Sequence, residues 1–106
     1  MKKTLLYTLT LALSVSLAAT TALAAPQTFR GTISDSMCKR HHMMPGKSDA
    51  QCIEECVKAG SGYVLLVGDK VYTLNAAKGV LSPYAGKSVA ILGELKGETI
   101  QVTAVH

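Results

Sequence analysis

A chain of 106 residues with a formal charge of +4 at pH 7 has room for one small domain, and Lys2 and Lys3 account for two of those charges. The other lysines and arginines are scattered, aromatics make up 5%, and no basic run interleaves with stacking rings, which argues against nucleic acid as a partner. Three cysteines are an odd count, so internal disulfides alone leave one thiol over.

The opening segment, MKKTLLYTLTLALSVSLAATTALAAP, places Lys2 and Lys3 ahead of an apolar run from Leu5 to about Ala19, followed by small residues. That order predicts a secretory signal peptide over residues 1–24, with Ala22-Leu23-Ala24 as the cleavage pattern. The run carries several Ser and Thr and falls short of the roughly 20 predominantly apolar residues of a membrane span, so no lasting membrane insertion is expected after cleavage. No cysteine precedes Cys38, which leaves a lipid anchor no attachment point. The expected product is a single exported domain, residues 25–106, periplasmic or secreted, in a compartment where disulfides form. A domain of that size leans on a staple, a metal or a partner for stability.

Next, QTFRGTISDSMC alternates Phe29, Gly31 and Ile33 with polar neighbours and predicts a strand ending near Ser34. KRHHMMPGK is a loop broken at Pro45-Gly46. SDAQCIEECVKAG predicts a helix marked at both ends: Ser48 with Gln51 makes a capping box, Asp49 suits the positive end, Lys58 the negative end, and Gly60 the left-handed residue beyond it. Ile53 and Val57 are its expected core stripe, with Cys52 and Cys56 stacked on the neighbouring stripe and Glu54 and Glu55 on a solvated face.

GYVLLVGDKVYTL predicts a hairpin hinged at Gly68-Asp69. NAAKGVLSPYAG is a connection with room for one helical turn, and KSVAILGELKGETIQVTAVH is a second hairpin about Lys96-Gly97. In it, Val89 and Ile91 are expected to face Ile100, Val102 and Ala104, with Gln101 and Thr103 toward water. Tyr63, Tyr72 and Tyr84 are expected to pack the barrel, and His106 to be a frayed end. The sum is a mainly β domain of five short strands and one short helix. Such strands remove their edges by curling into a small OB-like β-barrel, with a helix-and-loop excursion between strands 1 and 2.

The residues with the most chemistry fall in one window, CKRHHMMPGKSDAQCIEEC, residues 38–56, which holds all three cysteines and two of the three histidines. Cys38-x2-His41, or x3-His42, and Cys52-x3-Cys56 are two short-spaced pairs joined by a loop, the way small domains build tetrahedral sites. The expected ligands are Cys38, Cys52, Cys56 and either His41 or His42, around one soft ion, Zn or Cu(I). With Cu(I), Met43 or Met44 is a possible substitute donor. The spacing matches no standard zinc-finger signature. Two other readings stay open: a disulfide from Cys38 to Cys52 or Cys56, or a bridge between the helical pair, stapling loop to helix; and a thiol pair that cycles between dithiol and disulfide. Against redox cycling, the chain lacks a Cys-x2-Cys motif. Asp35 is either a turn residue or an acceptor for a ligating imidazole. No nucleophile elbow, recognisable carboxylate pair or phosphate-cradling glycine loop is present, and three Cys with one His fill four positions of a zinc site. A binding protein is therefore expected, not an enzyme.

Two stretches carry a resemblance. GKSVAILGELKGETIQVTAV is similar to the closing hairpin of small exported bacterial domains with an OB-fold-like barrel, and GTISDSMC...H...C...C...GYVLL resembles an uncharacterised group of exported bacterial proteins. In that group a strand runs into a Cys/His loop, a cysteine-bearing helix and a Gly-Tyr-led strand. The similarity spans most of residues 29–105 and implies no established activity. An OB barrel ordinarily carries its helix between strands 3 and 4, so oligonucleotide or oligosaccharide binding is not implied here.

Overall fold

The computed structural model describes residues 25–41 and 45–106. The expected signal peptide and residues His42, Met43 and Met44 lie outside the described residues. Five strands follow in chain order: β1 Gln27–Asp35, β2 Tyr63–Val67, β3 Lys70–Asn75, β4 Ser88–Lys96 and β5 Thr99–Val105. One α-helix, α1 (Asp49–Lys58), lies between β1 and β2, and a 3-10 turn, Ser82–Tyr84, lies between β3 and β4. The strands close into a barrel in the order β1-β2-β3-β5-β4. Every neighbouring pair is antiparallel except β3 with β5, where Leu74 lies opposite Ile100 in a parallel pair. Closure leaves no strand edge along the sheet. This is the OB-like barrel with an excursion between strands 1 and 2 that the pattern predicts. No helix among the described residues is long and apolar enough to cross a membrane.

β1 serves two partners. Its first half pairs with β4 and its last residues with β2, and Thr32 is matched to both Ser88 and Leu66. Gly31 sits at that change of partner. A Cβ there would overlap the Leu66 carbonyl, so the strand turns the corner only because this residue has no side chain. Alternate residues of the strands fill the interior with Ile33, Leu65, Leu74, Val89, Ile91 and Ile100, joined by Leu81 from the β3–β4 connection. Tyr63, Tyr72 and Tyr84 pack against this core, and the Tyr72 ring meets Phe29 at 5.6 Å between centroids.

The second hairpin departs from simple alternation. Leu92 pairs with Ala104 but Gly93 pairs with Val102, so Thr103 is an extra residue, a bulge in β5. Beyond it the inward face shifts by one, and Val105 packs on the core in place of the expected Ala104. Gly93 takes the close approach at the bulge, where a Cβ would overlap the Gln101 carbonyl. Thr103 is exposed as expected, whereas Gln101 is half-buried because its Oε1 accepts from Asn75 Nδ2 at 2.7 Å across the parallel β3–β5 pair.

The helix forms as its ends predict. The Ser48 hydroxyl accepts from the Gln51 N–H at 3.2 Å, and Gln51 Oε1 accepts from the Ser48 N–H at 2.9 Å. This closed capping box satisfies two of the donors that a helix start leaves free. Gly60, at φ 107°, follows the last turn. The buried face comprises Cys52, Ile53 and Cys56, while Val57 is half-buried. The inward stripe is thus rotated toward the cysteines relative to the expected Ile53–Val57 line.

Candidate metal centre

Cys38 lies in a tight turn directly after β1, and Asp35 builds that turn. Its Oδ2 accepts the backbone N–H groups of Met37 and Cys38, each at 2.9 Å, while the Lys39 N–H bonds back to the Asp35 carbonyl at 3.0 Å. Such side-chain mimicry of a backbone turn is what aspartate does well. Lys39 takes the left-handed conformation at φ 52°, and the Ser34 hydroxyl donates to its carbonyl. The chain therefore reverses within four residues of the strand end and returns the Cys38 sulfur toward α1.

On the helix, Cys52 and Cys56 are one turn apart on the inward face, at 1% and 5% exposure. The Cys38 and Cys56 sulfurs are 3.8 Å apart, and all three sulfurs lie within 4.8 Å of one another. Three donor atoms from two segments thus converge on a region small enough for one ion. All three are free thiols. The disulfide staple among the sequence expectations does not form: 3.8 Å is nearly twice the length of a sulfur–sulfur bond, about 2.0 Å.

The surroundings of Cys56 oppose charge on its sulfur in the absence of an ion. Burial, reinforced by the hydrogen bond with Cys38 and by electrostatic repulsion from the neighbouring Asp35, Cys38 and Cys52, pushes the Cys56 thiol up to about 12. All of these influences act in the same direction, so Cys56 keeps its proton at neutral pH in the metal-free protein. An ion that takes the place of protons relieves the crowding that opposes deprotonation.

His41 is exposed, and its backbone N–H donates to the Cys38 carbonyl at 2.9 Å. Its ring is not among the donors that gather within 4.8 Å, which are the three sulfurs. His42, the alternative imidazole, lies outside the described residues. Glu54 is half-buried rather than fully solvated, because the Tyr63 hydroxyl donates to its Oε1 at 2.6 Å. Burial and this bond to Glu54 push Tyr63 up to about 12, and the contact ties α1 to the start of β2.

Sequence reasoning undervalued Asp35. It is the turn residue, but at 0% exposure it is also the most buried ionisable group beside the cluster. The signal was its place three residues before Cys38, the spacing of a side-chain-capped turn. Ser61, after the helix, closes the arrangement: its hydroxyl donates to Asp35 Oδ2 at 3.4 Å and lies 2.8 Å from that of Ser36. The two ends of the excursion are thereby pinned together at the rim of the barrel.

No protein-family model, curated protein or solved structure matches this chain, and the chemistry of the site rests on its own geometry.

Proposed function

We propose that this protein is a small exported metal-binding module in which Cys38, Cys52 and Cys56, with His41 or His42 as fourth donor, hold one soft ion, Zn(II) or Cu(I). The observation that carries this reading is the convergence of the three sulfurs within 4.8 Å. Two sulfurs each about 2.3 Å from a tetrahedral ion lie about 3.8 Å apart, and the Cys38–Cys56 separation is 3.8 Å. Thiolates are also the donors that Cu(I) selects. A bound ion links the β1 turn to α1 and fastens the excursion to the barrel. An ion that exchanges makes the protein a buffer for metal outside the cytoplasm. The cleavage pattern at residues 22–24 and the resemblance to exported bacterial domains support the compartment.

Native mass spectrometry of the reduced protein, followed by a thiol count after denaturation with chelator, tests the reading. One added ion and three free thiols are expected, and Cys56→Ser should abolish stoichiometric uptake. A protein that keeps all three thiols reduced and takes up neither zinc nor Cu(I) overturns it. A single free thiol with no ion points instead to cycling between the dithiol and a Cys38–Cys56 disulfide.

A further inference from the structure

The same three sulfurs support a second chemistry, and their placement singles out one pair for it. The Cys38 and Cys56 sulfurs are in contact at 3.8 Å, and both are free thiols. Side-chain rotation can close that gap to a sulfur–sulfur bond of about 2.0 Å. Cys52 and Cys56 instead lie one turn apart on α1. Helix neighbours four apart hold their Cβ atoms about 5–6 Å from each other, beyond the roughly 3.5–4.5 Å that a disulfide spans. Access differs too. Cys38 is half-buried on the turn after β1, whereas Cys52 and Cys56 are buried on the inner face of the helix. Cys38 is therefore the sulfur that a small disulfide from solution reaches, and Cys56 is the partner in contact with it.

The step balances as thiol–disulfide exchange with a small disulfide, RSSR, as oxidant. The Cys38 sulfur attacks one sulfur of RSSR, whose S–S bond breaks and releases the first RS⁻. The Cys56 sulfur then attacks the Cys38 sulfur, expels the second RS⁻ and completes the Cys38–Cys56 bond. Two electrons pass from the cysteine pair to RSSR. In the metal-free protein the two thiol protons go to the departing sulfurs and give two RSH. In the metal-loaded protein those sulfurs and Cys52 take their protons from solvent as the ion passes to water. A sulfur in a disulfide is no longer the thiolate that a metal needs. The bond thus removes two of the three sulfur donors, so bond and ion exclude each other. Yet each joins the Cys38 turn to α1.

We propose that the cluster is redox-gated: oxidation of the Cys38–Cys56 pair by a small disulfide releases the ion, while the new bond keeps α1 fastened to the β1 turn. This rests on the metal-binding reading above and adds its regulation. By reciprocity, an ion that binds only the reduced cluster makes the pair harder to oxidise.

Equilibration of the protein in glutathione redox buffers, with and without buffered free Zn(II), tests the inference. Cu(I) replaces Zn(II) as the probe if the reduced protein takes up only that ion. The oxidised fraction is read by mass after alkylation. With free ion at about a hundred times its dissociation constant, half-oxidation should require about 100-fold more oxidising buffer, measured as the squared glutathione concentration over that of glutathione disulfide. Peptide mapping should place the bond between Cys38 and Cys56. Hydrogen exchange along α1 should be slow in the oxidised metal-free and the reduced metal-loaded protein, and faster in the reduced metal-free protein. Cys52→Ser keeps the pair and should still form the bond. A midpoint indifferent to the ion, a pair that stays reduced in excess glutathione disulfide, a Cys52–Cys56 bond, or fast exchange in α1 after oxidation overturns the proposal; these wild-type results decide even if the variant fails to fold. Reduced wild-type protein that binds neither Zn(II) nor Cu(I) removes the metal reading itself, whereas protein that binds an ion when reduced and retains it when oxidised removes only the gating.

Discussion

The barrel and the excursion are held together by different physics. In the barrel, five strands share a continuous hydrogen-bonded circuit around branched aliphatic side chains from every strand. In the excursion between β1 and β2, one ten-residue helix buries three side chains, two of which are cysteines. It is tied to the barrel rim by the Asp35 turn, the Ser36–Ser61 contact and the Tyr63–Glu54 bond. Ten residues are too few for a helix to be stable in water without packing. The barrel therefore has the means to fold independently, while the excursion depends on a few polar contacts and on what the sulfurs do. Chemistry is concentrated where the packing is thinnest.

The largest expected effect strikes the barrel. Ile91→Ala removes a fully buried side chain from its centre and should destabilise the whole domain by about 2–5 kcal/mol in chemical denaturation. Loss confined to residues 36–62 would contradict the division drawn here. Chelation comes next and should act on the other region. If metal is present at about a thousand times its dissociation constant, withdrawing it costs about 4 kcal/mol. Hydrogen exchange should then accelerate in α1 and the Cys38 turn while the amides paired between β4 and β5 stay protected. Equal loss of protection in both regions would make barrel and excursion one cooperative unit.

Ser48→Ala breaks the capping box at the start of α1. A cost of about 1 kcal/mol is expected. It should be seen in the metal-free protein as faster exchange along the helix, and it should weaken metal uptake by lowering the population in which Cys52 and Cys56 are aligned. The smallest effect is that of pH. In the metal-free folded protein Cys56 keeps its proton to about 12, above its ordinary value of 9.0. The unfolded chain loses that proton first, so stability is full below about pH 9 and declines as pH rises toward 12. Tyr63, raised from 10.0 to about 12, acts in the same direction. Comparing denaturation midpoints with and without Cys56→Ser across this range isolates the thiol, and a wild-type midpoint no more pH-dependent than that of the variant would remove its contribution.

Much of the architecture was legible because it is encoded locally. A serine three residues before a glutamine starts the helix through side-chain bonds that need no distant partner, and Gly60 supplies the conformation that follows its end. Gly68-Asp69 turns β2 into β3 as expected, and the alternation in β4 identifies Val89 and Ile91 as inward. Two sulfurs of the cluster were legible for the same reason, since helical positions four apart must stack.

What escaped sequence reading depends on contacts between distant segments. The bulge at Thr103 exchanges Ala104 for Val105 on the inner face because β5 carries one more residue than β4 across that step of their pairing, and the alternation of β5 alone carries no mark of it. Likewise, SDSMC reads as a turn whether its aspartate faces water or the interior. By itself the sequence determined the elements, the capping of α1 and the pairing of Cys52 with Cys56, all of which follow from interactions among near neighbours along the chain. Only the tertiary structure decided that the end of β1 lies against the helix, because barrel closure brings those segments together. That placement delivers Cys38 to the other two sulfurs and buries Asp35 beside them.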